Sequence, residues 1–488
     1  MFLKRVRVPD FRVLKDVDIT FEPELTPSIF PVGSLNGGGK STLLQLIFVL
    51  LHCSVHRDRR EFLRNMLYGF EVDNNDDRPL AIIDLWDGTN NVILEFLACK
   101  DGHESESKLS IIEDVQEIEE KIESLKAQVQ FLNDLTLKIG EISRKSQNED
   151  DEQKYLTKLG DELVYKVLGS KRQLPLSYEE ADKISRMDSC KDAVMYVREK
   201  IDLLDKERKS LVEECKEKFH STEKITKSLS SKSLIYVCKY LTKSNQTPSG
   251  ILLCHVSGLE INKANEFLEK VSQKIFLGAP TTQVFLFLNR DSRKLLFVDP
   301  RHKNGSSENS YFARVDRAKA KLPNFFPYDF FAVDLLTNML KEARDRDFAE
   351  LHETGEYGNT YKNTLKELNL FLFNKKLTLD KDFSNVGFQI EENGSSKELY
   401  PEDLSHGELK LLSIYMWIRY HNIEDAIVLM DEIEIALNPD WQYTIVRDLE
   451  SWSPTSQYIL ATHSYELCQA LSPPHVKEIE PKLVKREN

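Results

Sequence analysis

The 488-residue chain has few cysteines, no apolar run long enough to cross a bilayer, and no excess of positive charge. Each shortage removes a class of protein. Its seven cysteines are scattered and form no C-x-x-C pair, which argues against a disulfide scaffold and fits reduced thiols in the cytoplasm. Cys53 lies between His52 and His56 on an expected helix; with no fourth ligand in that stretch, ordinary packing is the expectation there. The most apolar run, LLQLIFVLLHC from Leu43, falls well short of the roughly 20 residues that a membrane helix needs, so no membrane partner is expected. The start, MFLKRVRVPDFRVLKD, is charged and strand-like rather than a secretory signal. A net charge of −14 excludes a surface that is basic all round, as in proteins that coat nucleic acid by charge alone, but leaves room for one local basic patch. No internal repeat with a period of roughly 20–50 residues is present. What remains is an ordinary globular composition, long enough for two or three domains.

Three stretches follow one another along the chain. Residues 1–104 alternate strand signals with turns: LKRVRV, VDITFEP and a buried PSIFPV, then a helix from STLLQLIFVLL, then a hairpin, RPLAIIDLWDG with NNVILEFLACK. Residues 105–232 change period. Ile111, Val115, Ile118, Ile122, Leu125, Val129 and Leu132 recur in steps of four and three, a heptad seam. A second seam runs through Val197, Ile201, Leu204, Leu211 and Cys215, with Arg208 in one seam position. Between them lies a polar, mixed segment. Two seams joined this way suggest an antiparallel helical hairpin projecting from the globular part, and STEKITKSLSSK from Ser221 reads as a polar connector leaving it. Residues 233–488 return to strands (GILLCHV, TTQVFLFL, KLLFVDP), pass through a helical segment at 331–373, and return to strands again.

Four stretches carry chemistry. PVGSLNGGGKST from Pro31 joins a strand to a helix, the setting a phosphate-binding loop requires. Backbone N–H groups of Asn36, Gly37, Gly38, Gly39, Lys40 and Ser41 can cradle phosphates at the positive end of the helix. Lys40 supplies a point charge to the β/γ oxygens, the Ser41 hydroxyl can ligate Mg²⁺, and Thr42 reaches the α-phosphate. The expected first glycine is replaced by Ser34, one place after Gly33; serine is tolerable there with a negative φ, or if Gly33 takes up the turn. AIVLMDEIEIALNPDWQ from Ala426 is an apolar strand ending in two carboxylates, Asp431 for Mg²⁺ and Glu432 to polarise an attacking water. LATHS from Leu460 ends another apolar strand at His463, placed to hydrogen-bond a γ-phosphate. DLSHGELKLLSIYMWI from Asp403 puts Ser405, His406, Gly407 and Glu408 at a helix start, a second anion-binding N-terminus. One chain needs one phosphate loop, so the second site makes sense if it completes the pocket of another subunit.

The order of these stretches (phosphate loop, long insertion, L-S-x-G-E, acidic strand, histidine strand) is that of the ABC-class ATPases. VPDFRVLKDVDITFEP resembles the opening of SMC, RecF and OLD-type ATPases, with Phe11-Arg12 in place of their Asn-Phe-Arg start. NGGGKST, LSHGE, DEIEIALNPDWQ and ATHS are similar to their Walker A, signature, Walker B with D-loop, and switch-histidine motifs, and LNPDWQ is nearest the OLD-type form. The motifs cover roughly residues 1–50 and 400–470. The resemblance implies an α/β P-loop NTPase head of ABC type, split by an antiparallel coiled-coil insertion. It implies ATP and Mg²⁺ as ligands and heads that pair around ATP: Glu432 and His463 as catalytic residues, Ser41 and Asp431 at the metal, and Ser405 to Glu408 acting in trans. It also resembles the ATPase subunits of bacterial antiphage systems such as PARIS and Septu, whose effector nuclease would be a separate chain, since only PPHVKEIEPKLVKREN follows the last motif region. The alternative is a RecF/SMC-like ATPase that binds duplex DNA through patches at Arg57, Arg59, Arg60 and Arg64, or Arg314, Arg317, Lys319 and Lys321. Four positions depart from the pattern: Ser34, His406, Ile433 where proline is common, and Asn438 in the D-loop. The Q-loop glutamine has no assignment from sequence.

Overall fold

A computed structural model describes residues 1–35, 37–72, 77–101, 108–146, 148–169, 175–242, 250–281, 283, 287–288, 293, 319–328, 333–372, 374–379, 386–392, 395–400 and 403–479. The chain divides into one compact unit formed by Met1–His103 with Leu229–Asn488, and a second formed by Glu104–Ser228.

In the first unit the chain opens with β1 (Phe2–Phe11), β2 (Leu14–Thr20) and β3 (Ile29–Gly33), then α1 (Lys40–Cys53), α2 (Arg60–Leu67), β4 (Arg78–Trp86) and β5 (Asn91–Lys100). The second unit holds α3 (Ile111–Lys145), α4 (Glu149–Gly169), α5 (Tyr178–Ser185) and most of α6 (Cys190–Ser231). The first unit resumes with β6 (Leu234–Tyr240), β7 (Gly250–Ser257), α7 (Ile261–Lys274), β8 (Ile275–Ala279), β9 (Phe325–Pro327), α8 (Val333–Thr354) and α9 (Thr360–Asn369). Then come β10 (Lys375–Leu379), β11 (Val386–Glu392), β12 (Ser395–Leu399), α10 (His406–Tyr420), β13 (Ile427–Asp431), α11 (Pro439–Trp452), β14 (Gln457–Ala461), α12 (Tyr465–Gln469) and β15 (Lys477–Glu478).

Two six-stranded sheets build this unit. One is antiparallel, in the order β2-β1-β4-β5-β7-β6; the other is parallel, in the order β15-β3-β14-β13-β8-β9. A smaller antiparallel sheet is β10-β11-β12. Helix α1 is buried along its whole length except at Ser41 and Thr42, as expected of a helix that is apolar all round. Side-chain alternation along the parallel strands separates two cores. Ile427 and Leu429 of β13, with Ile459 and Ala461 of β14, join α1 and the antiparallel sheet in one. Val428 and Met430, with Tyr458 and Leu460, join α10 in the other.

In the second unit, α3 and α6 run antiparallel, joined midway by the ion pair Lys121–Glu207 at 2.9 Å. Their seam positions are shared unevenly. Ile118, Ile122 and Leu125 of α3 are buried, whereas Ile201, Leu204 and Leu211 of α6 are half-buried. The segment between the seams is not a plain connector. It forms α4 and α5, and Leu156, Leu163 and Ile184 pack there with Leu132, Ile139 and Val197. The serine-x-x-glutamate at Ser177 and Glu180 is a reciprocal capping box that starts α5.

The expected polar connector from Ser221 is corrected: α6 continues to Ser231. Thr222 and Thr226 hydroxyls bond the carbonyls of Lys218 and Thr222 one turn back, and Ile225 is buried, so the polar composition conceals a helical stripe. The sequence reading also passed over α7 and β8. β8 is five buried residues entered directly from the helix with no turn signal. The expected strand at 294–300 lies outside the described residues; of that at 281–288 only Thr281, Gln283, Phe287 and Leu288 are described, and none of them is in a strand.

Gln457 ties the two sheets. Its carboxamide accepts from Leu3 N at 2.7 Å and donates to Leu3 O at 2.9 Å, beside the register shift between Leu3 and Arg5 in the β1–β4 pairing. Gln457→Leu leaves two buried backbone groups without partners, each costing about 1–3 kcal/mol. The expected result is a loss of about 2–6 kcal/mol in urea unfolding followed by circular dichroism.

Candidate functional site

The cleft is built at the carboxyl ends of the parallel strands, where open α/β sheets bind ligands. β3 feeds the loop 34–39, and α1 begins at Lys40. Gly37 and Gly39 have φ of 79° and 96°, a region that L side chains avoid, and a Cβ on Gly39 would lie 2.6 Å from Leu14 Cδ2. Ser34 is not among the residues of positive φ, so its side chain is accommodated without strain. Its hydroxyl donates to Leu35 O at 2.9 Å and accepts from Lys40 Nζ at 3.3 Å. Asn36 lies outside the described residues; Gly38, Lys40, Ser41 and Thr42 stand on the loop and the first turn of α1.

Asp431 is the last residue of β13 and shares the alternation of Ile427 and Leu429, the face that looks at α1. Its Oδ1 accepts from Ser41 Oγ at 3.0 Å. Its Oδ2 is buried with no hydrogen-bond partner among the described residues. Burial pushes the Asp431 carboxyl up to about 7; the Ser41 hydrogen bond opposes this, and the charges of Glu432 and Glu434 add to it. A buried hard oxygen without a partner beside a hydroxyl fits Mg²⁺, which takes one or two protein oxygens and completes its shell from water and substrate phosphates. Among the described residues no group of three or more His, Cys, Asp or Glu side chains forms a metal site.

Lys40 contacts a histidine and lies in the field of three carboxylates. Its ammonium is 2.7 Å from His463 Nε2. Burial lowers its pKa, while Asp431, Glu434 and Glu432 act in the opposite direction. Glu432 has φ of 53°, and its N–H bonds Ala461 O at 2.9 Å, so the chain turns sharply as it leaves the strand. A cavity of about 680 Å³ opens beside the loop, lined by Gly33, Ser34, Thr462, His463, Tyr465 and Cys468 among others.

The helix start at Ser405 is a full capping box. Glu408 N–H donates to Ser405 Oγ at 3.2 Å, and Ser405 N donates to Glu408 Oε2 at 3.0 Å. Lys375 Nζ holds the Glu408 carboxylate at 2.8 and 2.9 Å, while Ser405 and His406 are exposed. Gly407 lies under the D-loop, where a Cβ would sit 2.7 Å from Ala436 O and 2.8 Å from Trp441 Cζ3.

Residues 266–469 match the AAA_21 family, described as "AAA domain, putative AbiEii toxin, Type IV TA system". Over 91 residues the chain is 35% identical to the "Retron Vc95 probable ATPase" of Vibrio cholerae serotype O1 biovar El Tor. That match spans 16% of this chain and 17% of the relative, so the chain aligns to about a sixth of the curated relative's length. Among solved structures, the Smc head domain with an extended coiled coil bound to the C-terminal domain of ScpA, from Pyrococcus furiosus, aligns over 96% of this chain and 92% of its own, at 11% identity and a TM-score of 0.30. The Smc head domain with a coiled coil and joint from Pyrococcus yayanosii aligns over 96% and 94%, at 12% identity and a TM-score of 0.30. The family match thus falls on residues 266–469, fewer than half of the chain, within a head of two large sheets and a helical insertion.

Two departures from the expected motif pattern have local reasons. Ile433 is fully buried in the α10-side core. Asn438 caps α11, accepting from Trp441 N at 2.8 Å ahead of Pro439. The head also brings in two residues that sequence reasoning missed. Gln283 follows β8, the neighbour of β13, and accepts from Gln45 Nε2 at 2.8 Å, one helical turn below Ser41. Finding it required β8, which carries no sequence signal. Glu434 accepts from His463 N at 2.8 Å; its place three residues after Asp431 in DEIE was the available signal.

Two expectations need correction or limit. The patch Arg57, Arg59, Arg60 and Arg64 does not present four cations. Arg60 is buried over the Tyr236 ring and Arg59 Nη1 contacts His52 Nε2 at 3.1 Å, because α2 packs that face against β6. In the second patch Lys321 pairs with Glu61 at 2.9 Å, and Arg314 and Arg317 lie outside the described residues. His52, held by Ser272 O at 2.8 Å and pushed down to about 3 by burial and then by Arg59, is a packed neutral ring, and Cys53 beside it is buried. No helix among the described residues is long and apolar enough to cross a membrane.

The Asp431 shift fixes a sign. Its pKa is raised from 3.8 to about 7 in the folded chain, so between those values the folded state holds the extra proton and stability falls as pH rises. Asp431→Asn removes that dependence. Without metal or nucleotide, the variant is expected to exceed wild type at pH 8 by up to about 4 kcal/mol, a gap that shrinks toward pH 5, as read by thermal melts across pH.

Proposed function

We propose that the chain binds and hydrolyses Mg·ATP between two heads that close around it, and that it serves as the sensor or regulatory ATPase of an antiphage complex whose effector nuclease is a separate chain. The observation that carries the ATPase reading is the convergence of Lys40, Ser41, Asp431 and His463, with Ser41 on Asp431 at 3.0 Å and Lys40 on His463 at 2.7 Å. Lys40 and the loop amides orient the triphosphate. Ser41 and Asp431 would hold the Mg²⁺, which supplies neutralising charge to the phosphate oxygens. Glu432, whose carboxylate accepts no hydrogen bond among the described residues, takes a proton from the attacking water. His463 hydrogen-bonds the γ-phosphate once Lys40 has turned to the substrate. The exposed N-terminus at Ser405 and His406 caps the γ-phosphate bound to a second copy. ATP then joins two heads and its hydrolysis separates them, a population shift driven by one phosphate. The defence role is supported by the wording of the matching family, a toxin of a TA system, and by the retron origin of the related ATPase.

Lys40→Ala is expected to abolish binding of a fluorescent ATP analogue. Glu432→Gln is expected to bind ATP normally, slow turnover by about 10²–10⁴-fold, and accumulate dimers in sedimentation velocity. Normal turnover by that variant would remove Glu432 as the base, and a monomer at saturating uncleavable analogue would remove the shared cleft. Expressed with its flanking genes, the tagged chain is expected to co-purify with a nuclease subunit; recovery alone from cells that make that nuclease counts against the defence reading.

A further inference from the structure

The turn after β13 does more than carry Glu432. Left-handed residues bracket it, Glu432 at φ 53° and Ala436 at φ 69°, with Glu434 between them. Two side chains cross from this turn and the helix after it to the loop that follows β14. Glu434 Oε1 accepts the backbone N–H of His463 at 2.8 Å. Gln442 of α11 accepts from Ser464 Oγ at 2.7 Å and donates back to Leu437 O at 2.8 Å. The remaining Glu434 oxygen, Oε2, is buried with no hydrogen-bond partner among the described residues.

The histidine is therefore held at two ends. Its backbone is fixed by Glu434, and its ring rests on the Lys40 ammonium through Nε2. A donating ammonium requires Nε2 to be the acceptor, which puts the ring proton on Nδ1. When Lys40 turns to a bound phosphate, the ring loses one restraint and keeps the other. It can then reorient about its side-chain torsions while its Cα stays beside the Walker B turn. Without the Glu434 contact, neither of these restraints remains once Lys40 turns away.

We propose that Glu434 is a positioning residue that fastens the switch histidine to the Walker B turn, so that His463 and Glu432 move as one piece of the cleft. The proposal rests on the ATPase reading above. It assigns Glu434 no contact with substrate. Its contribution is an oxygen acceptor aimed at one N–H, and the charge is secondary.

Glu434→Ala, Glu434→Gln, His463→Ala and the double variant Glu434→Ala/His463→Ala separate these roles. Glu434→Ala is expected to lower kcat by about 10- to 100-fold, to the level of His463→Ala, with affinity for a fluorescent ATP analogue changed less than about 2-fold. The double variant should be no slower than His463→Ala alone. Glu434→Gln keeps an oxygen for the His463 N–H and should stay within about 3-fold of wild type. Losses that multiply in the double variant, or a Gln variant as slow as Ala, overturn the proposal. A second arm needs no turnover. In nucleotide-free protein labelled with ¹⁵N-histidine, the ring signals missing from His463→Ala identify His463. Those signals should shift or broaden in Glu434→Ala and persist in Glu434→Gln; unchanged signals in the Ala variant overturn the proposal. Glu434→Met, close in size and without an acceptor, replaces Ala if that variant does not fold. If wild type hydrolyses no ATP, the ATPase reading falls while the ring signals still decide the role of Glu434.

Discussion

Ser41 donates to Asp431 across 3.0 Å, and this bond joins the first turn of a buried helix to the last residue of a fully buried strand. It holds only because two alternations agree. The pleat of β13 sends Ile427, Leu429 and Asp431 toward α1, and the helix presents Ser41 at the end where its own N–H groups are unsatisfied. The carboxylate sits in a place that an apolar side chain would fill more cheaply. One oxygen without a partner and a pKa near neutrality are the marks of a group kept for a ligand rather than for packing.

The turn after β13 collects the rest. Lys410 of α10 is buried and donates to the carbonyls of Glu432 and Ile435, both at 2.9 Å. Trp441 and Ala436 close over Gly407. Glu434 and Gln442 reach the histidine loop. The N-terminal part of α10, the acidic turn after β13 and the loop that carries His463 thus meet at a single short segment. A displacement at the N-terminus of α10 has a direct route, through Lys410, to the backbone of Glu432.

Much of this cleft is legible in the sequence because phosphate chemistry restricts both residue type and local conformation. A glycine-rich turn before a helix, or an apolar strand ending in acids, has few other uses when both occur in order in one chain. The heptad seams are legible for a similar reason, since the spacing itself encodes the packing face. Less was readable where polar residues sit in well-packed helices. The α6 extension past Ser221 reads as linker by composition, yet its threonines bond one turn back and Ile225 is buried. β8 has no boundary signal, and without it Gln283 could not be placed beside α1. The arginines from Arg57 to Arg64 read as a basic face, but α2 turns Arg60 inward against Tyr236.

By itself the sequence determined the glycine-rich loop before α1, the strand that ends in Asp431, the strand that leads into the loop of His463, and the long helices of the insertion. These are local properties, set by backbone conformations and by hydrophobic period. Only the tertiary structure decided which side chains meet: Lys40 with His463 across 423 positions, Ser41 with Asp431 across 390, and Glu434 with the backbone of His463. Such meetings depend on the order of strands within a sheet. That order is fixed by the simultaneous burial of several apolar faces and not by any one stretch of residues.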